Sequence, residues 1–220
     1  MDNYNKDLIV VDEHDNIVGT IKALTGHYKT HLSLHRAFSL FLVDDNNKLL
    51  IQQRSSSKLV FPNKWANSVC SHPFLNALSF SDPIQDAKNH LIKRMDYELG
   101  LTGIKEEELQ FIGRLLYKAT DTEYYGHLLD GEPKAQEYKE FPIVENIEME
   151  KKSENFFEWE VDYIFVCKKQ VGVKMNKEEV QDIKMVDRNE YEEMRKEKKI
   201  TKWTELIVEK TKIFDILEKM

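Results

Sequence analysis

The sequence predicts an α+β domain, or a layered α/β/α sandwich around a mixed sheet. Apolar and β-branched runs typical of strands flank one long amphipathic helix, and a second helical region follows near the end of the chain. Strands and helices do not alternate as they do in doubly wound parallel sheets. The 220 residues show no internal repeat and no second boundary, so we expect a single domain over residues 1–220.

Seven segments have the composition of strands. The first two are joined by a polar turn and predict an N-terminal hairpin. The predicted strands and extended segments are residues 8–11, 17–21, 37–43, 48–53, 65–70, 111–117 and 156–167.

The central helix has clear start and stop signals. Asp82 can cap it, Pro83 suits its first position, Gln85 completes a capping-box spacing, and Gly100 ends it. One apolar stripe at helical spacing comprises Ile84, Ala87, Leu91, Met95 and Leu99. Two further helices are predicted over residues 188–198 and 203–220, the latter with an apolar side made of Trp203, Leu206, Ile207, Phe214 and Leu217.

Residues 122–155 form a long, charged and weakly patterned stretch. We expect an inserted surface segment, partly mobile, within the single domain.

Composition excludes several classes of function. A net charge of −7 without a basic stretch disfavours nucleic acid or an anionic membrane as the partner. Two cysteines are too few for a disulfide framework, and no run approaches the length of a transmembrane helix. With no signal or transit character near residues 1–7, we expect a cytoplasmic protein. All the apolar stripes can be buried in a single core, so none of them calls for a subunit interface. We therefore also expect a monomer.

Histidines and acidic residues fall at spacings that indicate a metal site. His27, His31 and His35 lie within nine residues, and His72 follows Cys70 by two. Positions i and i+2 of a strand face the same side, so Cys70 and His72 share one space. The same rule brings together Glu158 and Glu160, whose like charges are costly in an apolar strand unless a cation lies between them. Imidazole with carboxylate suits Zn²⁺, Mn²⁺ or similar ions.

Each of these residues also has an ordinary structural explanation. A single histidine is most often a surface or core residue, the two glutamates suit a solvated strand face, and a free cysteine is commonly a small buried apolar residue. Arg94 and Glu98, four apart on a helix, suit a surface ion pair. Composition and spacing alone indicate a metal-dependent enzyme without excluding these alternatives.

Local strings of residues add a more specific indication. The strings LHRAFS at 34–39, LIQQRS at 50–55 and WANSVCSHP at 65–73 resemble type I isopentenyl-diphosphate isomerases in order and spacing. The resemblance continues in Phe61-Pro62, YELG at 97–100, YKATD at 117–121, EWE at 158–160, NKEEV at 176–180 and Trp203. It covers nearly the whole chain except residues 122–155, and the NSVCSHP string is its most specific part.

The resemblance implies a Nudix-type α/β/α sandwich with a mixed sheet flanked by helices. Nudix hydrolases carry Arg-Glu near the middle of the central helix and Glu-Glu near its end. Lys93-Arg94 and Tyr97-Glu98 stand at those positions here, so only Glu98 remains of three metal-binding carboxylates. This departure favours an isomerase over a Nudix pyrophosphohydrolase. A non-catalytic Nudix-fold binding module is the third alternative, which Cys70, Tyr117 and Glu160 together argue against.

The resemblance also implies two divalent cations and a diphosphate site. A tightly held ion (Mn²⁺, Zn²⁺ or Mg²⁺) would be bound by three imidazoles and two carboxylates, and Mg²⁺ bound by Glu98 would arrive with the substrate. The implied ligands of the first ion are His27, His35, His72, Glu158 and Glu160, with His31 competing with His27. The implied diphosphate contacts are Arg54, Lys58, Arg94 and Lys22, the last adjacent to Ala23, which occupies the position where the family has its lysine.

The implied reaction interconverts isopentenyl diphosphate and dimethylallyl diphosphate through a tertiary carbocation. Cys70 and Glu160 are expected on opposite faces of the substrate as proton-transfer groups. Tyr117 would orient Glu160 or assist the transfer, and the indole of Trp203 would stabilise the cation. An anchoring role for Trp203 in the last helix remains the alternative. One departure from the family pattern, Ala66 in place of a frequent threonine, removes none of these groups.

Overall fold

A computed structural model describes residues 5–142 and 147–219. Its strands are β1 (Asp7–Val11), β2 (Ile17–Lys22), β3 (His35–Val43), β4 (Leu49–Arg54), β5 (Trp65–Ala66), β6 (Val69–Ser71), β7 (Gln110–Ala119), β8 (Tyr124–Leu129), β9 (Glu158–Lys168) and β10 (Val180–Val186). The helices are α1 (Ala23–Gly26), α2 (Leu78–Ser81), α3 (Pro83–Leu99), α4 (Arg188–Lys196), α5 (Lys202–Thr211) and α6 (Ile213–Leu217), with 3₁₀ turns at Glu106–Glu108 and Ser153–Asn155.

The strands form one mixed sheet in the order β10-β4-β3-β9-β7-β8, with β1, β5 and β6 paired along it and β2 paired with β1. Only β3 and β9 run parallel among the described strand pairs; the others are antiparallel. The register places His35 beside Glu160, and Glu160 beside Tyr117. Three adjacent strands therefore deliver an imidazole, a carboxylate and a phenol to one place.

Two cores lie on opposite faces of the sheet. Phe38 and Leu40 of β3 pack in the core that contains the apolar stripe of α3, whereas Phe41 packs in the core formed with α4, α5 and α6. Alternate residues of a strand point to opposite faces, so helices cover both sides. Each fully buried Leu or Phe contributes roughly 1.5–3 kcal/mol relative to exposure. The predicted α+β class and the helix–sheet–helix layering are confirmed.

The central helix has the predicted termini. Asp82 accepts a hydrogen bond from the backbone N–H of Gln85 at 3.0 Å, and Pro83 is the first residue of α3. Gly100 adopts a left-handed conformation with φ of 60° and closes the helix through its N–H to the carbonyl of Asp96. The helix is therefore fixed at both ends, which holds Arg94 and Glu98 in its last turns.

Two of the predicted elements need correction. The last helix is not continuous over 203–220, because Lys212 takes a left-handed conformation with φ of 55° and separates α5 from α6. Residue 220 lies outside the described residues. The extended segment 65–70 is two short strands, β5 and β6, that pair with different neighbours. Strand β10, which pairs with β4, had no predicted counterpart.

The segment 122–155 contains more regular structure than its sequence predicts. Strand β8 lies within it and pairs with β7 over six residues. Gln136 accepts a hydrogen bond from the N–H of Ile17 at 2.8 Å, which ties the segment to the N-terminal hairpin. Residues 143–146 of the predicted insertion, like residues 1–4, lie outside the described residues. The single-domain organisation and the mobility of this segment remain predictions.

A buried ionic network joins the hairpin to the sheet. Asp15 is 2% exposed, and its carboxylate accepts hydrogen bonds from Arg36 and Arg114, each at 2.7 Å, and from the hydroxyl of Tyr163. Removing one member of such a network leaves the other charges buried without their partner, which is the main cost of breaking it.

We expect Asp15→Asn to lower the free energy of unfolding by about 3–5 kcal/mol. Asparagine tolerates the left-handed backbone at this position, so the loss of charge, and not backbone strain, is what the substitution tests. Equilibrium urea unfolding measures the change. Asp45→Asn, at an exposed turn residue, is the matched control and should stay within about 0.5 kcal/mol of the wild type. A similarly small loss in Asp15→Asn would show that the network contributes little.

Candidate metal centre and active-site cavity

Three histidines and two glutamates from separate parts of the chain meet at one end of the sheet. His35 is the first residue of β3, and Glu158 and Glu160 open β9. His27 directly follows α1, with its N–H bonded to the carbonyl of Ala23, and His72 directly follows β6. Parallel pairing of β3 with β9 fixes the carboxylates against the imidazoles.

The geometry of this cluster is compact. The ring centroids of His27, His35 and His72 are separated by 4.7, 4.9 and 4.9 Å. One ligand atom from each of these histidines and from Glu158 lies within 4.8 Å of the others. Oε1 of Glu160 is 2.7 Å from Nε2 of His72 and 3.4 Å from Nε2 of His35. Five possible ligands thus surround one small space.

Hydrogen bonds behind the rings direct the remaining nitrogens toward that space. Nδ1 of His35 lies 2.7 Å from the carbonyl of Ser33, and Nδ1 of His27 lies 3.1 Å from the carbonyl of Phe157. A carbonyl only accepts, so Nδ1 is the protonated nitrogen in both rings and Nε2 keeps its lone pair. Histidine ligands of metals are held in this way.

Buried atoms that lack a hydrogen bond indicate that a cation fits here. Within residues 5–142 and 147–219, Nε2 of His35 and Oε2 of Glu158 are buried without a hydrogen-bond partner. Each has an ion-pair contact instead, with Oε1 of Glu160 at 3.4 Å and with Nδ1 of His27 at 3.0 Å. Burial lowers the pKa of His72 to about 3, so its imidazole is neutral at pH 7, the form that binds metals. Burial, together with the charge of Glu160, raises the pKa of Glu158 to about 7. Burial also lowers the pKa of His35, whereas at His27 burial is outweighed by Glu158 and Glu160 together, which raise its pKa. Imidazoles facing crowded carboxylates are a donor set for a divalent ion.

A cavity of about 540 Å³ opens beside the cluster. Its walls carry most of the residues that the sequence assigns to chemistry. These are His27, Arg54, Lys58, Cys70, His72, Arg94, Tyr117, Glu158, Glu160 and Trp203. The cavity therefore joins a candidate cation site, a thiol, an indole and three cationic side chains.

Cys70 lies on β6, and NH1 of Arg54 donates a weak hydrogen bond to its sulfur at 3.8 Å. Burial raises the pKa of the thiol to about 12, and Arg54 opposes that shift. The sulfur is thus protonated at neutral pH, next to a guanidinium that stabilises the thiolate when the proton leaves.

Tyr117 donates a hydrogen bond from its hydroxyl to Oε2 of Glu160. Trp203 donates from Nε1 to Oδ1 of Asn67 at 3.0 Å, and the guanidinium of Arg54 lies 5.1 Å from its ring centroid. The indole is 3% exposed yet forms part of the cavity wall. Trp203 is therefore anchored by Asn67 and also forms part of the cavity wall.

The cations assigned to a diphosphate divide into two groups. Arg54, Lys58 and Arg94 line the cavity. Lys22, by contrast, pairs with Asp7 at 2.9 Å, and within the described part of the chain its side chain is not among those that line the cavity. The structure brings the first three together and does not bring Lys22 to them.

Glu98 is buried in the last turn of α3. Oε1 accepts from Nε of Arg94 and Oε2 accepts from Nε2 of Gln52, both at 2.8 Å. The ion pair expected from i, i+4 spacing is present, but it is buried and borders the cavity residues instead of lying on the surface. Its assignment to a second cation remains a prediction.

Two residues near the cavity were not singled out from the sequence. Glu179 forms ion pairs with Lys58 and Arg94, and Asn67 holds the indole of Trp203. Both residues lie inside the strings that resemble known isomerases, and this position could have identified them as candidate site residues. Their partners are 85 to 136 residues away, which local patterns do not reveal.

The choice between His27 and His31 has a direct test. His31 is exposed, and its ring contacts Thr30 rather than the cluster. We expect His27→Ala to lower the content of bound divalent metal at least about tenfold after dialysis against dilute chelator, with His31→Ala unchanged. Inductively coupled plasma mass spectrometry measures both. Loss of metal in His31→Ala with retention in His27→Ala would reverse the assignment.

Comparisons with known proteins agree with the strings in the sequence. No protein-family model matches the chain. Isopentenyl-diphosphate Delta-isomerase 1 of Mesocricetus auratus is 32% identical over 213 residues, which cover 91% of this chain and 80% of that protein. The isopentenyl-diphosphate delta-isomerase of Schizosaccharomyces pombe is 32% identical over 91% of this chain and 79% of its own length. A relative from Gibberella zeae with the same activity in its name is also 32% identical, and the matched region spans only 62% of its length.

Among solved structures, DR0079 from Deinococcus radiodurans superposes with a TM-score of 0.56 at 14% identity, covering 92% of this chain and 97% of that one. At that identity the match shows a shared fold alone. No helix within the described residues is long and apolar enough to cross a membrane. With identities of 32% over nine-tenths of its length, the chain belongs to the isopentenyl-diphosphate delta-isomerase family.

Proposed function

We propose that this protein interconverts isopentenyl diphosphate and dimethylallyl diphosphate. One observation carries the proposal: the thiol of Cys70 and the carboxylate of Glu160 line the same cavity, beside a candidate cation site and three cationic side chains. A proton-transfer pair, a diphosphate-binding group and an apolar wall are what this reaction requires. The substrate and the activity come from the family to which the chain belongs.

The chemistry needs one proton delivered and one removed. The π electrons of the terminal alkene form a new C–H bond, which leaves a tertiary carbocation. The C–H pair at C2 then becomes the new double bond, and its proton leaves to a base. An unactivated alkene is a very weak base, so the acid must be well positioned and water must be kept out.

Glu160 with Tyr117 forms one proton-transfer group and Cys70 forms the other. The hydroxyl of Tyr117 donates a hydrogen bond to Glu160, which orients that carboxylate toward the cavity. The sulfur of Cys70 accepts from Arg54, whose charge stabilises the thiolate formed when the thiol gives up its proton, so the sulfur can act as acid or as base. Because the reaction is reversible, each group gives a proton in one direction and takes one in the other. Solvent restores the starting protonation between turnovers.

Trp203 places an indole on the cavity wall, where a carbocation would be close to its π face. Such a contact contributes roughly 2 kcal/mol or more when the site is dry. Asn67 fixes the indole from the opposite edge. The tryptophan would thus lower the barrier without taking part in proton transfer.

His27, His35, His72, Glu158 and Glu160 would hold one divalent cation, Mn²⁺, Zn²⁺ or Mg²⁺. When bound, that charge would set the protonation state of Glu160. Mg²⁺ would enter with the diphosphate and be bound by Glu98, while Arg54, Lys58 and Arg94 bind phosphate oxygens through charge-assisted hydrogen bonds.

The cellular compartment and the oligomeric state of the protein are proposed from fewer observations. Cys70 and Cys167 are both free thiols, which suits the reducing cytoplasm. We expect the protein to act as a monomer on a small isoprenoid diphosphate, without nucleic acid or membrane as partner.

The test is an activity assay on metal-loaded protein. We expect isopentenyl diphosphate and Mg²⁺ to yield an acid-labile allylic diphosphate, with no release of phosphate or pyrophosphate. Release of phosphate or pyrophosphate without an allylic product would indicate a hydrolase. A folded, metal-loaded protein that left the substrate unchanged would contradict the proposed function.

A further inference from the structure

Glu179 occupies a fixed position at the edge of the cavity, directly before β10. Its N–H donates to the carbonyl of Asn176, and its own carbonyl accepts from the N–H of Ser55, both at 3.0 Å. Asn176 is tied in turn to the end of α3, because its N–H donates to the carbonyl of Glu98 at 2.8 Å. The side chain of Glu179 is 14% exposed. Its carboxylate is thus held between the segment after β4 and the last turn of α3.

That carboxylate pairs with two of the three cations assigned to the diphosphate. Oε2 of Glu179 contacts Nζ of Lys58 and lies 2.6 Å from NH2 of Arg94. Burial alone would raise the pKa of Glu179, but Lys58 and Arg94 lower it below its ordinary value, so the group is charged at neutral pH. Glu98 pairs with Arg94 from the other side at 2.7 Å.

The charges in this part of the cavity nearly cancel. Three cations, Arg54, Lys58 and Arg94, face two carboxylates, Glu98 and Glu179, and leave a net charge of about +1. Lys177 and Glu178, which also line the cavity, add one charge of each sign. A free diphosphate ester is far more negative than this set is positive. Its complex with one divalent cation is two charges less negative and matches the set more closely.

Glu179 also competes with the ligand for the same donors. Phosphate oxygens that reach Lys58 and Arg94 come close to Oε2 of Glu179, where like charges repel at short range in a partly buried site. A divalent cation between them removes that repulsion.

Resting on the proposed function, we propose that Glu179 is a specificity-determining residue that makes the cavity select a cation-complexed diphosphate over the free diphosphate. Its second effect is positional: it holds the ends of Lys58 and Arg94 at the cavity wall.

Isothermal titration with inorganic pyrophosphate, with and without excess Mg²⁺ at constant ionic strength, measures this selectivity. The protein is the full chain, with its histidine cluster loaded beforehand with Zn²⁺. In the wild type we expect pyrophosphate to bind at least about tenfold more tightly with Mg²⁺. In Glu179→Gln we expect free pyrophosphate to bind about tenfold more tightly than in the wild type, so that the preference for the complex largely disappears. Glu179→Asp keeps the charge and should restore the preference.

Glu178→Gln is the matched control, because it removes a neighbouring charge that lines the same cavity and makes no ion pair within the described residues. It should shift the ratio much less than Glu179→Gln does, because Glu178 pairs with neither Lys58 nor Arg94. An unchanged ratio in Glu179→Gln, an equal change in Glu178→Gln, or loss of the preference in Glu179→Asp would overturn the inference. A wild-type protein that binds free pyrophosphate as tightly as the Mg²⁺–pyrophosphate complex, or that binds neither form, would also overturn the inference. This measurement uses the wild-type protein only, so it does not depend on the folding of a variant.

Failure of the inference and failure of the proposed function give different results. Pyrophosphate has no alkene, so its binding is independent of isomerisation. A protein without isomerase activity whose pyrophosphate selectivity still depends on Glu179 would refute the function alone. An active isomerase whose selectivity ignores Glu179 would refute the inference alone.

Discussion

Replacing Cys70 with Ala is expected to lower kcat for isomerisation by about 10³-fold or more, with little change in folding. The sulfur lines the cavity and is one of the two proton-transfer groups of the proposed mechanism, and losing a positioned acid or base typically costs 10²–10⁴-fold. Alanine removes only the weak contact of Arg54 NH1 to the sulfur, because Nε and NH2 keep their hydrogen bonds to the carbonyl of Val60. Steady-state kinetics with isopentenyl diphosphate measures the loss, and thermal unfolding verifies the fold.

Cys167→Ala is the natural control for this substitution. Cys167 is fully buried in the core beneath α3 and lies away from the residues that line the cavity. We expect a stability loss of about 1 kcal/mol and nearly unchanged kcat. A Cys70→Ala enzyme that turned over at close to the wild-type rate would remove the thiol from the mechanism.

Replacing Glu160 with Gln is expected to reduce kcat by at least about 10³-fold, and excess metal should not restore it. Glu160 is bonded to Tyr117 and is both a proposed proton-transfer group and a candidate metal ligand, so the substitution removes two proposed functions. The amide keeps the size of the side chain but cannot carry the proton. Kinetics at saturating Mn²⁺, Zn²⁺ or Mg²⁺ separates the loss of chemistry from the loss of metal.

Glu158→Gln provides the comparison, because Glu158 faces His27 and is a candidate ligand without a contact to Tyr117. We expect its activity to fall at limiting metal and to recover substantially when metal is saturating. Full recovery of Glu160→Gln under the same conditions would reduce Glu160 to a metal ligand. Failure of both variants to recover would indicate that the two carboxylates act as one unit.

Local sequence signals predicted the elements that position the site. The caps of α3 and its apolar stripe followed from spacing, as did the shared face of Glu158 and Glu160. These features depend on residues within one element, where helical and strand periodicity suffice. The family resemblance supplied the roles of Cys70 and Tyr117, which periodicity alone left open.

Features that depend on distant partners were not predicted. Asp15 has the local sequence of a turn residue, yet its partners Arg36, Arg114 and Tyr163 are 21, 99 and 148 residues away. Glu179 is similar, because Lys58 lies 121 residues before it. Charge pairs of this kind form only when the sheet register has been set. The separation of α5 from α6 at Lys212 was not predicted either, because the left-handed conformation of a lysine does not change the spacing of the apolar residues.

The most direct test of this account is the reaction of isopentenyl diphosphate in D₂O with metal-loaded protein, followed by proton and deuterium NMR. Protonation of the terminal carbon and deprotonation of C2 predict dimethylallyl diphosphate with deuterium in its new methyl group, and Cys70→Ala and Glu160→Gln should form it far more slowly. An allylic product without deuterium would contradict proton exchange with solvent. No allylic product at all from folded, metal-loaded protein would contradict the account as a whole.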